Sequence, residues 1–211
     1  FFAQAPFLVK LLSMAGLRNW VEYGIRNYGN HPERQIDYFK LQSPDSRAVL
    51  QRERHGTLFA DVERQLDLYL RALWRDNDLL VPYSTAFDEL RKPIPYYDKL
   101  GMRVPDVLDD ACGVAGLDRY RAVLAHMVGH RRWSKPQIAD NWSPFQRMAV
   151  EFFEDCRIET LLMREYPGLR RIFLALHPTP VESACAPETT SRLRHRLAMW
   201  ARALLDPAHG Y

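Results

Sequence analysis

The chain has 211 residues, a length that accommodates one domain or two small ones. Hydrophobic residues make up 47% and charged residues 26%, which is typical of a packed globular protein and excludes a disordered tail, a collagen-like rod and a coiled-coil rod. The net charge of +3 does not require a nucleic-acid partner. The mean hydropathy of −0.35 and the lack of any long uninterrupted apolar run predict no membrane insertion.

The three cysteines, Cys112, Cys156 and Cys185, are widely separated and form no CxxC pair. This spacing excludes a disulfide framework and a CxxC zinc site, and it favours a reducing compartment, so we expect a cytoplasmic protein. The sequence opens with Phe1-Phe2-Ala3-Gln4 and has no charged segment followed by a cleavage site. We therefore expect no signal peptide, and we expect the chain to be part of a longer protein.

Helical spacing of apolar residues dominates the first part of the chain. Helices are predicted over 6–28, 32–41, 44–54 and 58–76. Gly16 is a possible weak point in the first, and Gly29-Asn30 supplies its stop. Ser43 followed by Pro44 is typical of a helix start.

The stretch 77–116 differs in composition because it is rich in proline and glycine. Its prolines are Pro82, Pro93, Pro95 and Pro105. We interpret it as a long irregular connection with short helices near 84–91 and 105–111. It serves either as a binding surface or as a wrap that covers the core.

The last part of the chain is again helical. Asp118 is predicted to cap a helix that ends near Trp133, and Ser143 with Gln146 forms a capping box for a helix over 144–165. Further helices are predicted over 169–175 and 188–205. The sequence thus predicts an all-α fold, an irregular multi-helix bundle divided into an N-terminal helical part (1–76), the irregular connection (77–116) and a C-terminal helical part (117–211).

Several catalytic and nucleotide-binding motifs are missing from the sequence. It has no GxxxxGK[ST], no GxGxxG, no HExxH, no GxSxG and no DxSxS. We therefore predict no catalytic residue and no bound cofactor in these 211 residues.

One group of residues has the spacing of a metal site. His126 and His130 lie four residues apart on the helix 118–133, and Glu151, Asp155 and Glu159 repeat every four residues on the helix 144–165. If the two helices pack together, His126, His130 and Glu159 could hold a metal ion with an open position. Alternatively, the two histidines are solvent-facing or half-buried, and the carboxylates form ordinary salt-linked pairs with local arginines such as Arg119 and Arg157.

Arginine and tryptophan mark the candidate partner interface. Arg131, Arg132 and Trp133 combine the residue types of a protein–protein hot spot, although cations at a helix C-terminus are also favoured by the helix dipole. Arg170 and Arg171 have the same two interpretations. Trp142 precedes the capping box and is predicted to hold the loop 134–143 to the helix entrance.

The second half of the chain resembles a bacterial protein family over about 117–211. The residues that carry the resemblance are 130–134, 138–147, 150–159, 166–171, 191–197 and 204–207. They are similar to the region upstream of the von Willebrand factor A domain in the CbbO and NorD family. The similarity over 1–116 is confined to Arg52, His55, Gly56 and the helix that follows.

This resemblance implies an adaptor and not a catalyst. Members of the family work with a hexameric MoxR-type AAA+ ATPase, so ATP and Mg²⁺ are expected on that partner. In the CbbO branch the pair is a Rubisco activase that releases inhibitory sugar phosphates, with the CbbQ hexamer as its ATPase. In the NorD branch the target is nitric oxide reductase. The A domain and its divalent metal are expected outside these 211 residues, because the sequence has no DxSxS.

Three functions follow, in order of preference. The first is the non-catalytic adaptor of a Rubisco activase, and the second is a NorD-type assembly factor. The third, from another class, is a metal-dependent helical enzyme that uses His126, His130 and Glu159.

Overall fold

The computed structural model of the chain describes residues 2–54, 56–85, 94–181 and 192–210. The chain is divided into two compact units. The first consists of Phe1–Leu68 with Asn77–Asp109, and the second of Tyr69–Asp76 with Asp110–Tyr211. The division into residues 1–76, 77–116 and 117–211 stays a prediction about domain organisation.

The described residues are mostly helical, as the sequence predicts. A 3₁₀ turn at Phe2–Gln4 precedes nine described α-helices: α1 (Ala5–Leu11), α2 (Met14–Tyr28), α3 (Pro32–Phe39), α4 (Pro44–Glu53), α5 (Phe59–Tyr69), α6 (Gly116–Trp133), α7 (Pro144–Glu165), α8 (Leu169–Leu176) and α9 (Arg192–Leu205). The five strands are β1 (Thr57–Leu58), β2 (Leu80–Tyr83), β3 (Tyr96–Asp98), β4 (Gly101–Pro105) and β5 (Val107–Leu108).

The expectation of an all-α fold is confirmed only in part, because two small sheets accompany the helices and four of the five described strands lie in the stretch 77–116. In the larger sheet, β4 is central, parallel to β2 and antiparallel to β3. Met102 and Val104 of β4 are fully buried. Pro82 is tolerated because β2 is an edge strand, where a missing N–H costs no ladder hydrogen bond on the outer side.

Several other sequence-based boundaries also need correction. The helix predicted near 105–111 is instead β5, which pairs with β1. The helix predicted over 6–28 is split in two, because Ser13 caps α2 by accepting a hydrogen bond from the Gly16 N–H. The helix predicted over 58–76 changes at Leu70–Trp74 into a π-helical turn. The helix predicted near 84–91 and the start of the one over 188–205 lie largely outside the described residues.

Trp20 organises the core of the first unit. Its fully buried indole stacks on Tyr38 at 5.0 Å between ring centroids, and its N–H donates to the Ser46 carbonyl at 2.9 Å. The Tyr38 hydroxyl in turn donates to the Trp20 carbonyl at 2.8 Å. These two hydrogen bonds satisfy the polar atoms of two large buried rings, so α2, α3 and α4 form one core. Ser43 caps α4 as predicted.

The core of the second unit is built on the packing of α6 against α7 and of α7 against α8 and α9. Ser143 and Gln146 form the predicted capping box at the start of α7. By contrast, α6 begins after Ala115 and not at Asp118, which falls in its first turn. None of the described helices combines the length and the apolar character that a membrane span needs.

Gly129 lets α6 approach α7 closely. A Cβ atom at this position would lie 2.7 Å from Ile158 Cγ2 and 3.2 Å from Leu162 Cδ1. Ile158 and Leu162 are fully buried, so neither side chain has free space to move into.

We therefore predict that Gly129→Val lowers the free energy of unfolding by about 1–3 kcal/mol, the usual cost of overpacking a core. Chemical denaturation followed by circular dichroism measures it. Gly210→Val is the control, because nothing lies within 4 Å of a Cβ at Gly210. Equal stability of the two variants would contradict the close helix contact.

Candidate functional site

His126 and His130 lie one turn apart on α6, and Asp155 lies on the facing part of α7. Their donor atoms converge. His130 Nε2 is 2.9 Å from His126 Nε2 and 3.0 Å from Asp155 Oδ1. The distance from His126 Nε2 to Asp155 Oδ1 is 3.5 Å. We refer to these three residues as the triad.

The other ring nitrogen of His126 is held by a buried carboxylate. His126 Nδ1 lies 3.2 Å from Glu159 Oε1, and the second oxygen of Glu159 lies 2.5 Å from His177 Nε2. Glu159 is only 7% exposed, so both its oxygens depend on these partners. A carboxylate acceptor at Nδ1 holds a proton on that nitrogen, so Nε2 is the atom of His126 that faces the triad.

The other ring nitrogen of His130 is held as well. His130 Nδ1 lies 2.9 Å from Ser134 Oγ, just past the end of α6. The Ser134 hydroxyl donates to Glu154 at 2.6 Å, and Arg157 is bound to the same carboxylate. Both imidazoles therefore have fixed orientations before any ligand binds.

The histidine and carboxylate groups around the triad shift one another's pKa values. Burial lowers the pKa of His126, but hydrogen bonds to Asp155 and Glu159 outweigh it and raise the pKa to about 9. Burial also raises the pKa values of Asp155 and Glu159, yet their histidine partners bring both below the usual range. Both carboxylates are therefore charged at neutral pH.

The structure brings together the predicted histidines, but with a different carboxylate in the triad. Glu159 contacts His126 on its Nδ1 side, whereas Asp155 meets both Nε2 atoms. Asp155 belongs to the same four-residue repeat on α7, so the sequence pattern contains it. His177 lacks such a signal, because it follows α8 and reaches Glu159 only through the tertiary fold.

The arginines at the end of α6 differ in their surroundings. Arg131 is half exposed and lies 3.3 Å from the nearly buried carboxylate of Asp76. Arg132 contacts Glu165 at 3.1 Å, and its guanidinium lies within 6 Å of the ring centroids of Trp74 and Trp133. Arg132 and Trp133 thus pack within the second unit, as expected for the C-terminal turn of a helix.

The other candidate interface residues lie elsewhere in the second unit. Arg170 pairs with Asp206 at 2.8 Å. Arg171 is 76% exposed and has Asp118 at 3.9 Å. Trp142 is half-buried, and its backbone N–H donates to the Ala139 carbonyl at 3.1 Å in the loop that precedes α7.

Sequence reasoning missed one exposed aromatic pair. Phe153 of α7 and Trp200 of α9 are 48% and 56% exposed, and their ring centroids lie 6.2 Å apart. The periodicity of each helix hid the pair, because an aromatic residue in an apolar stripe is ordinarily assigned to the core.

No protein-family model, curated protein or solved structure matches this chain. Membership of the CbbO and NorD family therefore stays a prediction from the resemblance.

Arg132 and Arg171 allow a direct test of which arginines stabilise the fold. Arg132→Ala removes contacts with two indoles and a carboxylate, so we expect the free energy of unfolding to fall by about 1 kcal/mol. Arg171→Ala removes only a distant, exposed pair and should change it by less than about 0.5 kcal/mol. Thermal and chemical denaturation of both variants measure the difference. A larger loss for Arg171→Ala would reverse this assignment.

Proposed function

We propose that this chain is the helical adaptor region of an ATP-driven activase, a non-catalytic partner of a hexameric MoxR-type AAA+ ATPase. Its target in the preferred version is Rubisco, from which the assembly releases inhibitory sugar phosphates. The proposal places the protein in the cytoplasm and assigns ATP and Mg²⁺ to the ring. Its sequence support is the resemblance carried by about 117–211.

The observation that supports docking is the exposed pair of Phe153 and Trp200. Aromatic side chains that touch each other and remain half exposed offer apolar area with little loss of side-chain entropy on binding. Both residues lie in the segments that carry the resemblance or beside them. An adaptor needs such a surface, since a ring can act on a target only through a partner that it grips.

Two arginines of the same unit keep charge in solvent, although they lie near opposite ends of α6. Arg171 keeps most of its guanidinium in solvent, and Arg131 keeps half. Acidic side chains on a ring subunit could bind Arg171 without breaking a buried contact, whereas use of Arg131 would compete with its nearly buried partner Asp76, and use of Arg132 would disturb its packing against two indoles.

The alternative of a metal-dependent enzyme that uses His126, His130 and Glu159 finds weaker support. Helical two-histidine hydrolase sites carry a glutamate base directly after the first histidine. Met127 occupies that position here and is buried. The triad therefore supports metal binding without supplying a base at that position.

We predict that Trp200→Ala weakens binding of the protein to its ATPase ring by roughly 30-fold, the effect of losing a hot-spot residue of about 2 kcal/mol. Light scattering after gel filtration and a titration of the labelled protein measure this. Ile25→Ala is the control, because Ile25 has the same 56% exposure but lies in the first unit. Equal binding of Trp200→Ala, Ile25→Ala and the unaltered protein would refute docking through the aromatic pair.

The target is tested in the same assay by following ATP hydrolysis. A complex whose ATPase rate rises with inhibited Rubisco supports the activase. A complex indifferent to Rubisco favours the NorD-type assembly factor, with nitric oxide reductase as its target. If no complex forms with the ring, the adaptor proposal fails.

A further inference from the structure

The triad has the composition of a transition-metal site. Two imidazole nitrogens and one carboxylate oxygen suit divalent zinc and its first-row neighbours, which bind three protein ligands and leave further positions for water. His126, His130 and Asp155 are the group of described residues whose potential ligand atoms come together in this way. Their side chains are 27%, 30% and 50% exposed, so an ion can enter from solvent.

The distances fit one ion. For bonds of about 2.1 Å, neighbouring ligand atoms lie about 3.0 Å apart in an octahedron and about 3.4 Å apart in a tetrahedron. The three separations in the triad are 2.9, 3.0 and 3.5 Å. A circle through the three atoms has a radius of about 1.8 Å, so a point about 2.1 Å from all three exists just outside their plane. The spacing of the three ligand atoms therefore already fits an ion and requires no movement of the helices.

The groups that bind the Nδ1 atoms of the two histidines are those expected around a preorganised metal site. A histidine that binds a metal through Nε2 normally donates its Nδ1 proton to a carboxylate, carbonyl or hydroxyl group. His126 meets Glu159 in this way, and His130 meets Ser134. The two Nε2 atoms lie 2.9 Å apart, and a hydrogen bond at that distance has room for only one proton.

We propose that His126, His130 and Asp155 bind one divalent transition-metal ion, which joins α6 to α7. Glu159 and Ser134 orient the two imidazoles and do not touch the ion. The site is independent of the adaptor function, because it lies within one unit and uses none of the interface candidates. Its role is to lock the two central helices of the second unit together.

Zn²⁺ is the probe for the first test. We would titrate it into the chelator-treated full chain by isothermal calorimetry at fixed pH, and we expect one Zn²⁺ per chain with a rise in melting temperature. Co²⁺ in the unaltered protein provides a second readout, since its visible absorption bands report a low-coordinate site with nitrogen and oxygen ligands. Absence of both signals overturns the proposal.

Variants separate the triad from adventitious binding. Asp155→Asn should weaken Zn²⁺ binding by more than about 100-fold, and Ser134→Ala by about 10-fold, as is typical of an outer partner. Glu151→Gln is the matched control, because Glu151 is an exposed carboxylate one turn before Asp155 on α7. The Zn²⁺ affinity of this variant should equal that of the unaltered protein. His130→Gln repeats the test from α6 if Asp155→Asn does not fold. If the triad variant that folds binds Zn²⁺ as tightly as Glu151→Gln does, the assignment is overturned.

Discussion

Helices α6 and α7 approach each other at Gly129, where the missing side chain leaves room for Ile158 and Leu162. This close packing sets the distance between the polar side chains of α6 and those of α7. His130 follows Gly129 directly, Asp155 lies three residues before Ile158, and Glu159 follows Ile158 directly, so the same contact brings imidazoles within hydrogen-bond distance of carboxylates. A larger residue at position 129 would separate the two helices, and the polar cluster would then open to water.

The polar cluster beside this contact supplies partners for a buried carboxylate. Glu159 is almost buried, and a buried carboxylate is tolerated only when its oxygens are bound. His126 binds one oxygen, and His177, directly after α8, binds the other. The carboxylate thus connects three helices through two rings. The position of α8 relative to α7 therefore depends in part on a polar contact and not only on apolar packing.

The sequence was informative where local chemistry decides the structure. Ser43 and Ser143 each precede a proline, and both cap helices that begin where predicted. The strands were missed because each is at most five residues long and because two of the three pairings join segments far apart in the sequence, as in the parallel register of β2 with β4. For the site, four-residue spacing placed His126 and His130 on one face of a helix. Which of Asp155 and Glu159 meets both Nε2 atoms depends on how α7 crosses α6, and no local sequence pattern predicts that crossing.

The π-helical turn at Leu70–Trp74 has a consequence for any attempt to isolate the C-terminal half. The Trp74 ring lies 4.2 Å from the Tyr166 ring, and the Tyr166 hydroxyl donates to the Leu73 carbonyl at 3.2 Å. Residues 69–76 are therefore part of the second unit, although residues 77–109, which belong to the first unit, separate them from the rest of it in the chain. A truncated protein that begins near 117 would lose this segment and expose the apolar surface that Trp74 covers. A truncated protein designed to map the domains should instead carry residues 69–76, joined by a short linker to the C-terminal half. The isolated half then keeps Trp74 packed against Tyr166.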